Sequence, residues 1–518
     1  MSAKIGTAMA WTMVSRAGRM VLGIVTSAMV VRGLGGHDYG VLSLLRSILM
    51  FVILLAGVGT GHALLKFLPA LRVERAPRAA RRLVRGVFAT HALVWLAMLG
   101  AAFVVRPSVE RVFHVDGVGF YVLVAVALAL FEVVFTVATQ VLNASFDAAR
   151  LSVAALVSHA VYAVGLLIAF GNGWGVVGVL AAGAAGNAVA CAMVWGRVRA
   201  ATSFAGDDGT LEDASLEPTG TEVTRERVLR YSLPFAAIGI LNLVVWRQSE
   251  TLLLAHFRSP EETGYFDVAY RLPQMVLEFV PGTVWPLVMA GMSEAFARDR
   301  ASLRRGITTY YRMLFALCAP ICVAGVIAGG RCVEVLYGAP MLPAAVPTQL
   351  FFAIFTVSFF STPLSMALYV LEKTHVNLLI YAFLAVLNVG LDLVLIPKYG
   401  VYGAVVPVAI AILLQPILYY AAVRRVEPGV VIPLAFIGRC FAASAFAFVM
   451  VPILAVWGGA VGLIVAAVAG TTALVLGYRA LGVLGADETR LLAGLPVPGA
   501  ARLGAWLAPR ATRSDAPR

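Results

Sequence analysis

The sequence predicts an all-α polytopic membrane protein of about fourteen transmembrane helices, and three observations carry that prediction. Of its 518 residues 61% are apolar and 13% charged, against roughly 25% charged in an ordinary soluble domain. The mean hydropathy is +0.89 over the whole length. Apolar runs of about 20 residues, the length that crosses a bilayer as helix, recur from end to end. They lack the short alternating segments of an outer-membrane barrel, and a span must otherwise satisfy its backbone internally as helix. Composition therefore excludes a soluble enzyme.

The runs place spans at 8–31, 41–65, 84–105, 119–145, 151–170, 175–196, 231–256, 267–293, 310–329, 345–370, 376–396, 401–422, 433–456 and 460–483. Between the second and third lie Lys66, Arg72, Arg75, Arg78, Arg81, Arg82 and Arg85 against one acid, Glu74, which marks a cytoplasmic connector. Counting from there puts both termini inside, together with Arg298, Arg300, Arg304, Arg305, Arg424, Arg425 and the tail from Arg490. The net charge of +13 follows this loop bias, so nucleic acid is not expected as a partner. Cys191, Cys318, Cys322, Cys332 and Cys440 form no CxxC and no cluster with histidine, and read as small apolar fillers. No metal motif and no cofactor signature is present, and Met1–Ala10 lacks the organisation of a cleaved signal peptide.

The chain repeats internally. His37-Asp38-Tyr39-Gly40 follows span one and Glu261-Glu262-Thr263-Gly264-Tyr265 follows span seven, 224 residues on. Gly175-Val176-Val177-Gly178 opens span six as Gly400-Val401-Tyr402-Gly403 opens span twelve, and Gly165-Leu166 precedes the first as Gly390-Leu391 precedes the second, both 225 apart. With six spans per copy, the copies face the same way and are related by an axis along the membrane normal, the parallel arrangement of many transporters. The expected organisation is a six-helix lobe at 1–200, an acidic disordered cytoplasmic linker at 201–229, and a second six-helix lobe at 230–425. Helices thirteen and fourteen follow at 426–484, then a cytoplasmic tail at 485–518.

The stretch from Ser15-Arg16 through Val31-Arg32-Gly33-Leu34-Gly35-Gly36-His37-Asp38-Tyr39-Gly40, its Gly264-Tyr265 echo and the span count resemble the polysaccharide flippase branch of the multidrug/oligosaccharidyl-lipid/polysaccharide exporter superfamily. The similarity runs over essentially the whole chain. It implies two six-helix lobes working by alternating access, in the cytoplasmic (inner) membrane of a bacterium. The implied cargo is an undecaprenyl-diphosphate-linked oligosaccharide for surface polysaccharide such as lipopolysaccharide, with polymerase or assembly proteins as partners beside membrane lipid. The related lipid II flippases carry cavity arginines, and Arg16 looks like one of those positions.

An arginine at mid-membrane costs about 2.5–3.5 kcal/mol on insertion scales, so each needs a wet or paired setting. Arg16, Arg19, Arg46, Arg247 and Arg271 qualify, and are the candidate substrate-binding cations. Arg46 and Arg271 stand 225 apart, in the second helix of each repeat. Arginines at matching depth in a hydrated cleft between the lobes would suit a diphosphate. The plain alternative is structural pairing, Arg247 with Glu250 or Arg271 with Glu278, whereas no acid lies within a turn of Arg16, Arg19 or Arg46. Glu132, Glu250, Glu278 and Asp392 are the candidate ion-coupling carboxylates, with a solvated pair to Lys398 the competing reading for Asp392. His159, alone on its helix, reads as a satisfied core residue. Two other functions compete. A cation antiporter of the multidrug and toxin type would want carboxylates where span one offers Arg16 and Arg19; a glycan polymerase would want large outer loops or an acidic metal motif.

Overall fold

The computed structural model describes residues 2–203, 224–243, 249–279 and 301–485, apart from 58, 75, 146 and 372, with 281, 288, 292 and 296 besides. Every long regular element among them is α-helix: α1 (Ser2–Gly57), α2 (Thr60–Val73), α3 (Pro77–Phe113), α4 (Val118–Leu128), α5 (Leu130–Ala144), α6 (Ala148–Gly171), α7 (Gly175–Ser203), α8 (Arg225–Leu243), α9 (Ser249–Phe257), α10 (Pro260–Leu277), α11 (Ala301–Tyr337), α12 (Ala345–Val370), α13 (Thr374–Tyr399), α14 (Val401–Val426), α15 (Leu434–Ser444), α16 (Met450–Val456) and α17 (Gly459–Ala480). Among the described residues, eleven stretches are long and apolar enough to cross a membrane. The first, Gly18–Arg72, holds two expected spans, so the eleven account for twelve of the fourteen. Spans seven and eight run into 244–248 and 280–300, outside the described residues.

Three boundaries differ from expectation, each for a local reason. Spans one and two run on as α1, broken only at Gly35, whose φ of 76° and ψ of −179° suit a residue without Cβ. Span two then stops at Gly57 and restarts at Thr60, because Gly59 takes a φ of 68°. Span thirteen is divided by the 3-10 turn Ala445–Val449. Pro452, just beyond, has no N–H for the carbonyl of Phe448 and its ring crowds that carbonyl.

The repeat is visible in backbone geometry. Gly175 and Gly400 open their helices with φ of 52° and 55°. Three residues later, Gly178 and Gly403 press on the end of the preceding helix: a Cβ on Gly178 would lie 2.7 Å from Cβ of Ala169, and one on Gly403 would lie 2.3 Å from the Leu395 carbonyl oxygen. The glycines of the repeated motif thus close a helix hairpin too tight for any side chain.

Contacts group the chain into two bodies, residues 14–264 and residues 265–518 with the first thirteen. In the first, Leu64, Phe67, Leu68, Leu83, Val84, Val137, Val141 and Val194 join α2, α3, α5 and α7 in one core. Helix α8 lies on α2, where a Cβ on Gly59 would stand 2.1 Å from the Ser232 carbonyl oxygen. In the second, α15 and α17 pack on α11 through Ala319, Phe436, Cys440, Ala443 and Tyr478, and Tyr478 Oη donates to the Ala316 carbonyl at 3.0 Å. Val461, Ile464 and Val468 of α17 are exposed, as a lipid-facing stripe requires. All five cysteines are free thiols, with Cys318, Cys322 and Cys440 buried as apolar filler.

These packing distances predict opposite outcomes for two glycines. Gly403→Ala forces α14 off α13 and lowers stability by about 1–3 kcal/mol. Gly390, with no atom within 4 Å of its missing Cβ, gains up to about 1 kcal/mol as Ala from helix propensity alone. Thermal unfolding of the two variants in detergent reads both signs.

Candidate functional site

The cationic positions resolve into two settings, one in each body. On α1 of the first, Leu42, Ser43, Leu45 and Ser47 are buried and Arg46 is half-buried among them. Its Nη2 donates to Tyr162 Oη on α6 at 3.3 Å. The Arg46 charge also acts on the carboxylate of Glu132, in the first turn of α5. No acid stands within a turn of Arg46 in sequence; tertiary packing brings Glu132 of a different helix within reach of its charge, without a direct bond between them among the described contacts.

Arg271, on α10, belongs to the second body. It grips Asp267, with Nε 3.3 Å from Oδ2 and Nη2 3.4 Å from Oδ1. The alternative of a structural pair therefore holds for Arg271, but with Asp267 in place of Glu278. Glu278 is exposed and instead accepts from Gln274 Nε2 at 2.7 Å. Asp267 lies one turn before Arg271 on the same helix face, whereas Glu278 is two turns on, beyond comfortable reach. The spacing of four was legible in the sequence.

Arg19 is half-buried on α1, and Arg16 lies in the same helix with its side chain outside the described residues. Arg247 falls outside them altogether, and so does its expected pairing with Glu250. Glu250 itself is fully buried on α9 and accepts from Ser249 Oγ at 3.2 Å. His159 is half-buried with Nδ1 2.8 Å from the Ala155 carbonyl oxygen, satisfied within its own helix.

Asp392 also needs correcting, since the solvated pair with Lys398 does not form. Asp392 has 0% exposure and Lys398 is exposed. Six residues turn a helix by roughly 240°, so the two side chains leave α13 on different faces. Asn377, Leu384, Asn388, Asp392 and Ile396 share the buried face, and Asn388 Nδ2 donates to Asp392 Oδ2 at 3.2 Å. Nearby helices bury further polar groups: Ser361 Oγ of α12 donates to Gln415 Oε1 of α14 at 3.0 Å, and the rings of Tyr381 and Tyr419 lie 6.5 Å apart. A search for formal charge passed over these uncharged side chains. Their signal is polar residues recurring at helical spacing in an apolar run.

Two further clusters lie in the first body. Lys66 Nζ stands 4.2 Å from the ring centre of Tyr231, Phe67 meets that ring edge-on at 5.6 Å, and the Arg227 guanidinium is 5.8 Å from the Phe67 ring. These contacts hold α2 on α8 beside the cationic connector. At the break near Gly35, His37 Nδ1 lies 2.8 Å from Glu261 Oε1.

A family model described as polysaccharide biosynthesis protein matches residues 29–347. The chain belongs to this family. No curated protein matches it. Among solved structures, this polysaccharide biosynthesis protein is similar to a lipid II flippase, MurJ, in an inward closed conformation, with TM-score 0.67, 13% identity, and 91% of this chain and 97% of that one covered. It is also similar to an inward-facing multidrug resistance MATE family transporter, with TM-score 0.62, 16% identity and coverage of 78% and 94%. A mutant form of the Vibrio cholerae MATE transporter VcmN gives 0.57, 15%, 82% and 97%. The fold is thus the multi-pass helical one that the lipid II flippase and the MATE transporters share.

The pairing at Arg271 predicts unequal costs for two acids. Asp267→Asn removes a carboxylate that holds a partly buried guanidinium and lowers stability by about 1–3 kcal/mol. Glu278→Gln changes it by less than about 0.5 kcal/mol, as for a surface site. Equal unfolding shifts for the two would contradict the assignment.

Proposed function

We propose that this polysaccharide biosynthesis protein flips a polyprenyl-diphosphate-linked oligosaccharide repeat unit from the inner to the outer leaflet of a bacterial cytoplasmic membrane. The observation that carries the reading is the pair Arg46 and Arg271. They occupy equivalent places in the two repeats, each half-buried in an apolar helix, and each within the field of a carboxylate, Glu132 or Asp267. A guanidinium kept at membrane depth is expensive unless it serves an anion. Its planar fork suits the oxygens of a diphosphate better than a lysine would. The proposal extends to Arg16, Arg19 and Arg247 as further substrate-binding cations, and to six-helix lobes at 1–200 and 230–425, with 201–229 as cytoplasmic linker and 485–518 as cytoplasmic tail.

In this cycle the headgroup enters from the cytoplasmic side and draws the arginines from Glu132 and Asp267. The lobes then rock to open outward. Asp392 is the proposed site for a coupling proton or cation, since it is a fully buried carboxylate on an apolar helix, the setting in which intramembrane acids serve as ion relays. Glu250 is a second, Glu278 a weaker one because it is exposed. The buried carboxylates also favour one alternative, a cation antiporter like the MATE transporters. Membrane lipid surrounds the protein, and a polysaccharide polymerase is the expected downstream partner.

Purified protein in liposomes separates the readings. The expected result is movement of a fluorescent diphosphate-linked oligosaccharide and no export of a cationic dye. Arg46→Ala and Arg271→Ala each slow it at least about tenfold, the factor that 1.4 kcal/mol supplies, and lysine at either place restores part of the rate. Undiminished transport by the double variant overturns the proposal, and dye export in its place supports the antiporter. Asp392→Asn is expected to abolish the response to an imposed proton or sodium gradient.

A further inference from the structure

We propose that the two copies of the repeated glycine motif form a bolt, fastened by His37 and Glu261, that parts before the face opposite the arginine-rich connectors opens. This rests on the orientation proposed above. His37 and Glu261, 224 positions apart, are the corresponding first residues of the two motifs, and they touch at 2.8 Å. The glycines behind them pack on the opposite copy. A Cβ on Gly40 would lie 1.7 Å from the Pro260 carbonyl oxygen, and one on Gly264 would lie 3.2 Å from Cδ1 of Tyr39 and 3.4 Å from Cα of Gly40. Neither Gly40 nor Gly264 has a positive φ. Close approach of two backbones, not turn geometry, therefore demands glycine at Gly40, and at Gly264 leaves a tight fit.

A second contact grips the same segment. His256, at the end of α9, places Nδ1 2.6 Å from the Val112 carbonyl oxygen, and its ring centre is 6.1 Å from that of His114. Residues 256–264 are thus clasped by α1 on one side and by the end of α3 on the other.

The fastening stands open to solvent, since the side chains of His37 and Glu261 are 55% and 39% exposed. Partial burial acts to raise the Glu261 pKa, but its own backbone N–H, then His37 and Ser259, outweigh that and hold it below the usual carboxylate range. Arg258 and Glu262 nearby are paired with each other at 3.0 Å, which leaves His37 as the cross-motif partner of Glu261. An exposed pair of this kind shifts the closed-to-open ratio by up to about fivefold.

The experiment uses the full chain in liposomes. Glu261→His leaves two imidazoles facing each other, and micromolar Zn2+ is expected to bridge them and stop oligosaccharide transport, with EDTA restoring it and His37→Ala removing the effect. In parallel, Ser43→Cys in a cysteine-free chain, one turn beyond Gly40 and buried, is labelled by an impermeant maleimide. At one fixed pH, His37→Gln or Glu261→Gln raises labelling about twofold to fivefold over the parent chain. Zn2+ binding without loss of transport, or labelling unchanged by both substitutions, overturns the bolt. A wild-type chain that moves no oligosaccharide defeats the functional reading instead, while the labelling still reports on the bolt.

Discussion

Inside a bilayer no water is available to satisfy a polar atom, and every charge at that depth must find its counterpart within the protein. Arg46 turns to Tyr162 and the field of Glu132. Arg271 turns back one helical turn to Asp267, and Asp392 takes the amide of Asn388. The cost of an unsatisfied group thus decides which helix faces are polar and which neighbouring helices must supply partners. Apolar burial cannot do this, because lipid tails solvate a leucine as well as a neighbouring helix does.

The same lack of hydrophobic drive explains the weight carried by glycine. Helices associate in lipid through close packing, and close packing needs places without a side chain. Gly178 and Gly403 seat a hairpin in each repeat, Gly59 lets α8 lie on α2, and Gly40 admits the backbone at Pro260. The repeated motif is accordingly a record of packing, and its two copies are conspicuous in sequence because each must meet the same steric demand.

Pairing the arginines with acids also shapes the proposed transport. A bare guanidinium in a low-dielectric cavity would hold a diphosphate too firmly to release it. One that exchanges Asp267 for the substrate, as Arg271 can, gives up one charge-assisted contact to gain another, so the net preference stays small. A carrier needs that near balance, since tight binding in one state would stall the cycle.

The sequence by itself determined the all-helical membrane class, twelve of the spans that the described residues display, and the repeat with its paired glycines. Hydropathy and helical spacing are properties of consecutive residues, so these survive without a fold. The Arg271–Asp267 pair was equally local and was overlooked in favour of Glu278. Only the tertiary structure decided that Tyr162 answers Arg46, that Asp392 faces inward away from Lys398, and that His37 meets Glu261. Each of these depends on which helices become neighbours or which face of a helix is buried, and one-dimensional periodicity carries no information about the azimuth of one helix toward another.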